Sequence, residues 1–576
     1  DLVLTGARVV LVQTREVMDG WQVATRHGRI AYVGPDAGHC IGPDTQTEDL
    51  GGRYLIPGLC DGHMHIESGM LTPAEFARAV IPHGTTSMFT DPHEIANVFG
   101  LRGVRLMHDE GLMQPINIWT QMPSCAPSAP GLETTGYEIG PEDVAEAMTW
   151  PGIIGLGEMM NFPGVVAGSQ QMLAEIAATQ GAGKTVGGHY ASPDLGPAFH
   201  AYAAGGPADD HEGTCEADAK ARMRQGMRSM IRLGSAWYDI AAQITAITEG
   251  GLDPRNMIIC TDDCHSGTLV NDGHMNRAVR HAIACGCDPL IALQMATINT
   301  ATHFGLDRDI GQIAPGRRAD MIVTSDLVTL PIETVYARGR KVAEDGVCLV
   351  DCPHLDWPAD TRGSVHLGRG LAADDFAVIA PAGAEAVTVR VIGVVENQAP
   401  TEALTARLPV VGGIVEGQAD VCQIALVERH RGTGEVVNAF VSGFGYRGAM
   451  AVASSVAHDS HHMIVVGTDR ALMARAAMRL AEVGGGVTVW KDGAELALVE
   501  LPIAGLMSDS PAAEVAAKAQ AMVAAMQACG CDLNNAFMQH SLLALVVIPS
   551  LRISDLGLVD VTKFELTDVV IDPAAP

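Results

Sequence analysis

The chain has 576 residues, enough for three or four structural units at roughly 100–200 residues per domain. Hydrophobic residues make up 47% and charged residues 18%, a globular composition with ample material for a core. The formal net charge of −30 argues against nucleic acid or an anionic membrane as a partner.

The sequence lacks the usual marks of secreted and membrane proteins. The longest apolar run, residues 542–548, is far shorter than the ~20 residues that span a bilayer. The N-terminal region has no basic segment followed by an apolar one, so we expect no signal peptide. The 13 cysteines include no Cys-x-x-Cys pair, and we expect reduced thiols in a cytoplasmic protein.

Strand-like and helical segments alternate through the first half of the chain. Residues 2–12 and 28–34 predict short strands. From 54 to 308 short apolar runs alternate with helical stretches, over about 250 residues, the usual length of a (β/α)₈ barrel. Within this segment Thr72-Pro73-Ala74-Glu75 predicts a helix start, with an N-cap, Pro at the first helical position and Glu at the third.

Beyond the barrel the sequence predicts two further units. Residues 309–367 return to strand-like sequence, and we expect them to complete a small β-sandwich unit with residues 1–53. Residues 368–576 predict a C-terminal α+β domain. It has a hairpin turning at Asp492-Gly493 and Ala-rich helices over about 470–482 and 511–528. The predicted fold class is therefore α/β, a TIM-like (β/α)₈ barrel with two accessory units.

The strongest local signal is the pair His63-Met-His65. Alternate side chains of a strand share one face, so the two imidazoles would point the same way. At the C-terminal end of a first barrel strand they would form half of a divalent metal site. Two surface histidines after a turn would give the same pattern, so the pair alone does not decide.

Polar residues ending later apolar runs favour the metal site. Active sites of such barrels are built from the C-terminal ends of the strands. Any one of these residues could be a capping carboxylate or a core histidine, but they recur in register with the predicted strands. They are Asp91 with His93 and Glu94, Glu158, His189, His211 with Glu212, and Asp262 with Asp263.

Four histidines and two or three carboxylates can hold one or two divalent ions and leave a position for water. A metal lowers the pKa of that water and so produces hydroxide near neutrality. A carboxylate must then take the proton and pass it to the leaving group. Glu158 and Asp262 are the candidates for that transfer.

Other catalytic motifs are absent from the sequence. The Pro-Cys-x-x-Cys of cytidine-type zinc deaminases does not occur. Residues 93–97, His-Glu-Ile-Ala-Asn, depart from the His-Glu-x-x-His of zinc proteases. A Walker A phosphate loop is also absent.

Several segments carry a family resemblance. Residues 57–65, Pro-Gly-Leu-Cys-Asp-Gly-His-Met-His, are similar to the first-strand signature of the amidohydrolase superfamily. Narrower segments resemble the adenine deaminase family, and the resemblance extends from about residue 50 to about residue 565. These segments are residues 65–80, 82–86, 91–97, 155–164, 454–461 and 503–509.

The resemblance implies roles for the matching residues. The metal ligands would be His63, His65, Glu158, His189, His211 and Asp262. Glu158 falls where many superfamily members bridge two metals with a carboxylate or a modified lysine. Asp91 matches an aspartate particular to this branch. The catalytic residues would be Glu158, Asp262, His211 and Asp91.

The resemblance also implies a reaction, a cofactor and an assembly. The reaction is hydrolysis of adenine to hypoxanthine and ammonia in purine salvage. The cofactor is a binuclear centre of manganese or iron, with zinc as a further candidate, and the assembly is a homodimer. The chain departs from the family pattern at Gly69, at residues 190–197 and at Cys264, which leaves substrate preference more open than metal binding.

Two alternatives remain at this point. One is a cyclic amidohydrolase of the dihydropyrimidinase or hydantoinase type, although Glu158 stands where those enzymes often use a carboxylated lysine. The other is a non-catalytic binding protein on the same fold, although no expected ligand is missing. For residues 458–462, His-Asp-Ser-His-His, a polar loop is favoured over a lid or purine contact.

Overall fold

A computed structural model describes residues 1–571, so the last five residues of the predicted C-terminal domain lie outside the described range. The first and third predicted segments share one nine-stranded sheet. In it Tyr54–Pro57 pairs antiparallel with Met321–Thr324, which brings the chain back beside its starting strands. The other strands are Leu2–Leu11, Glu16–Arg26, Arg29–Gly34, Gln46–Asp49, Thr334–Ala337, Arg340–Glu344 and Val347–Cys348.

Along the chain, a TIM-like barrel is inserted between the two groups of strands that form this sheet. Its strand pairs are all parallel and form a six-stranded and a three-stranded sheet. The eighth run contributes to both, because Met257–Cys260 pairs with the seventh strand and Asp262–Asp263 with the first. The first seven strands are Leu59–His65, Thr85–Thr90, Asn117–Met122, Ile153–Met159, Thr185–Gly188, Asp209–Asp210 and Arg228–Arg232.

Helices follow the barrel strands, and the predicted helix start at Thr72 is present. This helix begins at Pro73, but the Thr72 side chain makes no capping hydrogen bond. Glu75 accepts a hydrogen bond from the Ala512 backbone instead, so it ties the helix to the C-terminal region. The main helices are Pro73–Val80, His93–Leu112, Pro141–Ala147, Gln170–Gly181, Pro197–Gly205, Glu216–Arg224, Met275–Ala284 and Pro289–Met295. Shorter helices are Phe162–Val166, Ile240–Gln243, Thr245–Thr248, Ser266–Asn271 and Ile298–His303.

The C-terminal region combines sheets and helices, in agreement with the α+β prediction. Gly486–Lys491 and Ala494–Glu500 form the hairpin expected at Asp492-Gly493, and both turn residues have positive φ. The remaining strands of this ten-stranded sheet are Ala386–Gly393, Glu402–Val411, Ile414–Val415, Cys422–Val427, Val436–Ser442, Met450–Ser454, Met463–Gly467 and Val570–Ile571. A small sheet contains Leu551–Ser554, Gly557–Asp560 and Glu565–Thr567, and the helices are Arg470–Val483, Ala512–Ala528 and Ala536–Ser541.

The C-terminal region packs over the mouth of the barrel. Helix Ala512–Ala528 lies against Ser266–Asn271, which follows the eighth barrel strand. Thr134, in the connection after the third strand, donates hydrogen bonds from its amide and hydroxyl to Asp555. All 13 cysteines are free. Within residues 1–571 no helix is both long and apolar enough to cross a bilayer.

The contact between the fifth and sixth barrel strands can be tested by mutation. There Ala208 donates its amide hydrogen to the Val186 carbonyl oxygen, and a Cβ placed on Gly188 would overlap the Asp209 carbonyl oxygen. We expect Gly188→Ala to lower stability by about 1–3 kcal/mol, the usual cost of overpacking.

The measurement is the midpoint of thermal or urea unfolding. The matched control is Gly181→Ala, because a Cβ at this helix terminus meets no atom within 4 Å. Equal midpoints for the two variants would contradict the close approach of the fifth and sixth strands.

Candidate metal centre and active site

The first barrel strand presents two buried histidines to the barrel mouth. His63 and His65 are 3% and 2% exposed, and their ring centroids are 4.7 Å apart, as expected for alternate residues of one strand. His65 Nδ1 lies 2.9 Å from the Asp91 carbonyl oxygen. Because a carbonyl only accepts, Nδ1 carries a proton, and Nε2 is the ring nitrogen that would bind a metal.

Glu158 ends the fourth strand at the centre of this cluster. Its Oε1 lies 3.3 Å from His65 Nε2 and 3.9 Å from His63 Nε2. Its Oε2 lies 2.6 Å from His189 Nδ1 and 3.0 Å from His211 Nε2. The two oxygens of one carboxylate therefore face two different histidine pairs.

The electrostatics of Glu158 follow from these contacts. Burial alone would raise the pKa of the carboxyl, but the charges of His189 and His211 and their hydrogen bonds hold that pKa well below its usual value. Asp91, which is fully buried, accepts a hydrogen bond of 2.8 Å from the Glu158 backbone amide. Asp91 therefore contacts the main chain of Glu158 and fixes where its side chain starts.

Asp262 approaches from the eighth strand with a left-handed backbone, φ 57°. Its Oδ1 lies 3.1 Å from His65 Nε2 and 3.7 Å from His63 Nε2. Its Oδ2 accepts a 2.8 Å hydrogen bond from Arg232. Burial opposes ionisation of Asp262, but the hydrogen bond with His65 and the charge of Arg232 keep its pKa well below the usual value.

Arg232, at the end of the seventh strand, is a buried cation that the sequence reasoning missed. Besides Asp262, its guanidinium donates to Glu212 and to Asp239, the latter at 2.6 Å. Three carboxylates thus share one side chain that is 2% exposed. Multiple charge-assisted hydrogen bonds of this kind orient the carboxylates that take part in them.

His93, one of the polar residues singled out at the barrel strand ends, connects Glu158 to residues 458–462 of the C-terminal region. His93, the first residue of helix His93–Leu112, has Nδ1 3.2 Å from Glu158 Oε1 and Nε2 2.7 Å from Asp459 Oδ1. All five residues of 458–462 are at most 2% exposed. The segment is a polar loop before strand Met463–Gly467, in agreement with the favoured interpretation, and its side chains are buried. The cue in the sequence was three histidines and an aspartate within five residues, too polar for burial unless partners are supplied.

The donor set fits divalent cations. His63, Glu158 and His211 offer three ligand atoms within 4.8 Å of one another, and His63, His65 and Asp262 offer another three. The buried Nε2 atoms of His63 and His189 have no hydrogen-bond partner. Buried polar atoms without partners are costly, and a bound cation would satisfy them. All six residues predicted as ligands thus lie in one buried cluster.

Comparisons with known proteins agree with this geometry. A model described as "Amidohydrolase family" matches residues 54–342, and one described as "Adenine deaminase C-terminal domain" matches residues 398–565. Adenine deaminase 1 of Jannaschia sp. (strain CCS1) is 81% identical over 99% of this chain and 96% of its own length.

More distant relatives give the same match. Adenine deaminase of Ruegeria sp. (strain TM1040) is 78% identical over 99% of this chain and 95% of its own length. That of Moorella thermoacetica (strain ATCC 39073 / JCM 9320) is 48% identical over 99% of this chain and 96% of its own length. The resemblance seen in the sequence is confirmed, and the chain belongs to the adenine deaminase family of amidohydrolases.

Proposed function

We propose that this protein hydrolyses adenine to hypoxanthine and ammonia with the help of divalent metal. The assignment of adenine as the substrate rests on the similarity, over 99% of the chain, to proteins named adenine deaminase. The buried histidine–carboxylate cluster supports hydrolysis independently of any name. It does not favour a cyclic amidohydrolase, because no lysine accompanies Glu158 in this cluster.

The ligand set divides around Glu158. We propose that His63, His65 and Asp262 hold one cation and that His189 and His211 hold the other, with Glu158 shared between them. Imidazole and carboxylate donors suit manganese, iron and zinc. When bound, the metal supplies a nucleophile, because it lowers the pKa of water toward neutrality.

Proton transfer is the task of the carboxylates. Addition of water to C6 of adenine creates a tetrahedral carbon whose amino group leaves only after it is protonated. Asp262 is the proposed carrier. Arg232 holds its Oδ2, and its Oδ1 faces the histidines of the site, where it would take the proton from water and deliver it to the amino nitrogen. Cleavage of the C6–N bond then releases ammonia, and transfer of the remaining hydroxyl proton to N1 gives the keto form of hypoxanthine.

The other two catalytic candidates have supporting roles in this scheme. His211 stacks on His63 with centroids 4.1 Å apart, so its orientation is fixed beside Glu158. Asp91 acts through the Glu158 backbone and is a positioning residue. We also propose that the chain divides at 1–53, 54–308, 309–367 and 368–576, with the first and third segments forming a β-sandwich. Tyr54–Pro57, at the start of the second segment, pairs with strands of the third.

The substrate is tested directly. Enzyme loaded with manganese should release ammonia from adenine, and release from adenosine, a dihydropyrimidine and a hydantoin should be slower. The relatives are named for the free base and not for its nucleoside. Faster turnover of the dihydropyrimidine or hydantoin than of adenine would replace this function by the cyclic amidohydrolase alternative.

Loss of a histidine ligand should remove metal and activity together. We expect His63→Ala to lower the metal content and kcat in parallel. Metal content is measured by elemental mass spectrometry. The control is His200→Ala, an exposed histidine on helix Pro197–Gly205, which should change neither. Full activity in a metal-free preparation of the wild-type protein would show that the ligand assignment is wrong.

The two central carboxylates should respond differently to substitution. Asp262→Asn should keep substantial metal while kcat falls by roughly 10²–10⁴-fold, as expected for loss of a positioned acid or base. Glu158→Ala should lose metal and activity in proportion, because both of its oxygens face histidine pairs. If Glu158→Ala kept its metal and lost only kcat, Glu158 would be a proton carrier and not a metal ligand.

A further inference from the structure

The metal cluster lines a cavity too small for the proposed substrate. Its volume is about 20 Å³, room for about one water molecule. A second cavity of about 450 Å³ lies next to it, which is within the usual size of ligand pockets. A purine base fits the second cavity and reaches the metal cluster only if the two become continuous.

The two cavities share a thin wall. Glu212 lines both of them. In the C-terminal region Leu545 and Ile548 line the small cavity. Val547 and Pro549, the neighbours of Ile548 in sequence, line the large one. The wall is therefore one residue thick along this segment.

A second part of the wall repeats this arrangement. Ala399 lines the small cavity and the next residue, Pro400, lines the large one. Residues 546–550 form turns and bends. The backbone amides of Leu545 and Ile548 make only local hydrogen bonds, whereas Pro549 and Ser550 exchange backbone hydrogen bonds with Thr401. Segments of this kind open at lower free energy than core strands.

One buried side chain holds the two parts of the wall together. Arg552, 1% exposed, donates hydrogen bonds to the carbonyl oxygens of Ala399 at 2.6 Å, Leu542 at 2.9 Å and Ile548 at 2.8 Å. Because one planar guanidinium binds both segments, their positions are coupled.

The large cavity suits a planar heteroaromatic base. Phe162 from the barrel and Phe564 from the C-terminal region meet in its lining edge to face, with centroids 5.6 Å apart. Aromatic faces of this kind pack favourably against flat rings. Glu212, at the shared wall, offers carboxylate oxygens to the N–H groups at the edge of the base. Arg232 donates hydrogen bonds to both Glu212 and Asp262 and so links these two carboxylates.

We propose that the 450 Å³ cavity is the entrance chamber for the purine base, and that residues 545–549 with Ala399 and Pro400 form the gate between this chamber and the metal cluster. This inference rests on the proposed function. It assigns the C-terminal region a role in substrate access, distinct from the proton and metal chemistry of the barrel.

Filling the chamber tests the proposal. Ala191 is half-buried and lines the large cavity only, and so does the exposed Pro193. Ala191→Trp and Pro193→Trp should each obstruct entry, and the exposed position of Pro193 leaves folding unaffected. The matched control is Ala373→Trp, in a cavity of about 460 Å³ that shares no residue with the metal cluster.

The measurement is single-turnover conversion of adenine with metal-loaded enzyme in excess. An obstructed entrance should lower the second-order capture rate constant by roughly tenfold while the rate constant at saturating enzyme stays within about twofold of wild type. Metal content should be unchanged, and Ala373→Trp should match wild type in every value.

Three outcomes would overturn the proposal. Capture by both chamber variants equal to that of Ala373→Trp would show that the base enters elsewhere. A fall in the saturating rate as large as the fall in capture would show that the tryptophan disturbs the chemical site. Absence of hypoxanthine with the wild-type enzyme would refute the proposed function, and the entrance role would fail with it.

Discussion

The carboxylate of Glu158 lies in a buried space among the imidazoles of His63, His65, His189 and His211, and this crowding dictates much of the structure around it. Burial penalises a charged group unless its partners are fixed in place. The barrel meets this demand because parallel strands bring residues distant in sequence to one rim. As a consequence, the positions of these side chains all depend on one another.

The supporting contacts show how that dependence is met. Asp91 anchors the main chain of Glu158, the Asp91 carbonyl oxygen sets the tautomer of His65, and Arg232 holds Asp262. None of these contacts is local in sequence. Each joins the ends of two barrel strands, so a shift of one strand relative to its neighbour would disturb the ligand geometry.

The sequence identified the residues that the structure brings together at the barrel mouth, because the signals that mark them are local. His63 and His65 stand two residues apart in one strand, and Glu158 and Asp262 each end an apolar run. Arg232 ends a strand in the same way, but a lone arginine at a strand end indicates neither a metal nor a partner. The burial of residues 458–462 could not be predicted, because it depends on contact with His93, more than 300 residues earlier in the chain.

Enclosure of the cluster has an electrostatic consequence that links the two halves of the chain. Leu542, Leu545 and Ile548 cover the polar barrel mouth with apolar side chains and exclude water from it. Charge interactions strengthen when water leaves, so the proposed action of Asp262 and Glu158 on the reacting atoms would be stronger beneath this cover. A cover tight enough for that purpose also leaves space for only about one water molecule. Chemistry in this site therefore requires the cover to be closed, and substrate exchange requires it to be open. The conflict is resolved if the cover is a movable segment outside the barrel, since the strands that hold the ligands can then stay rigid throughout the cycle.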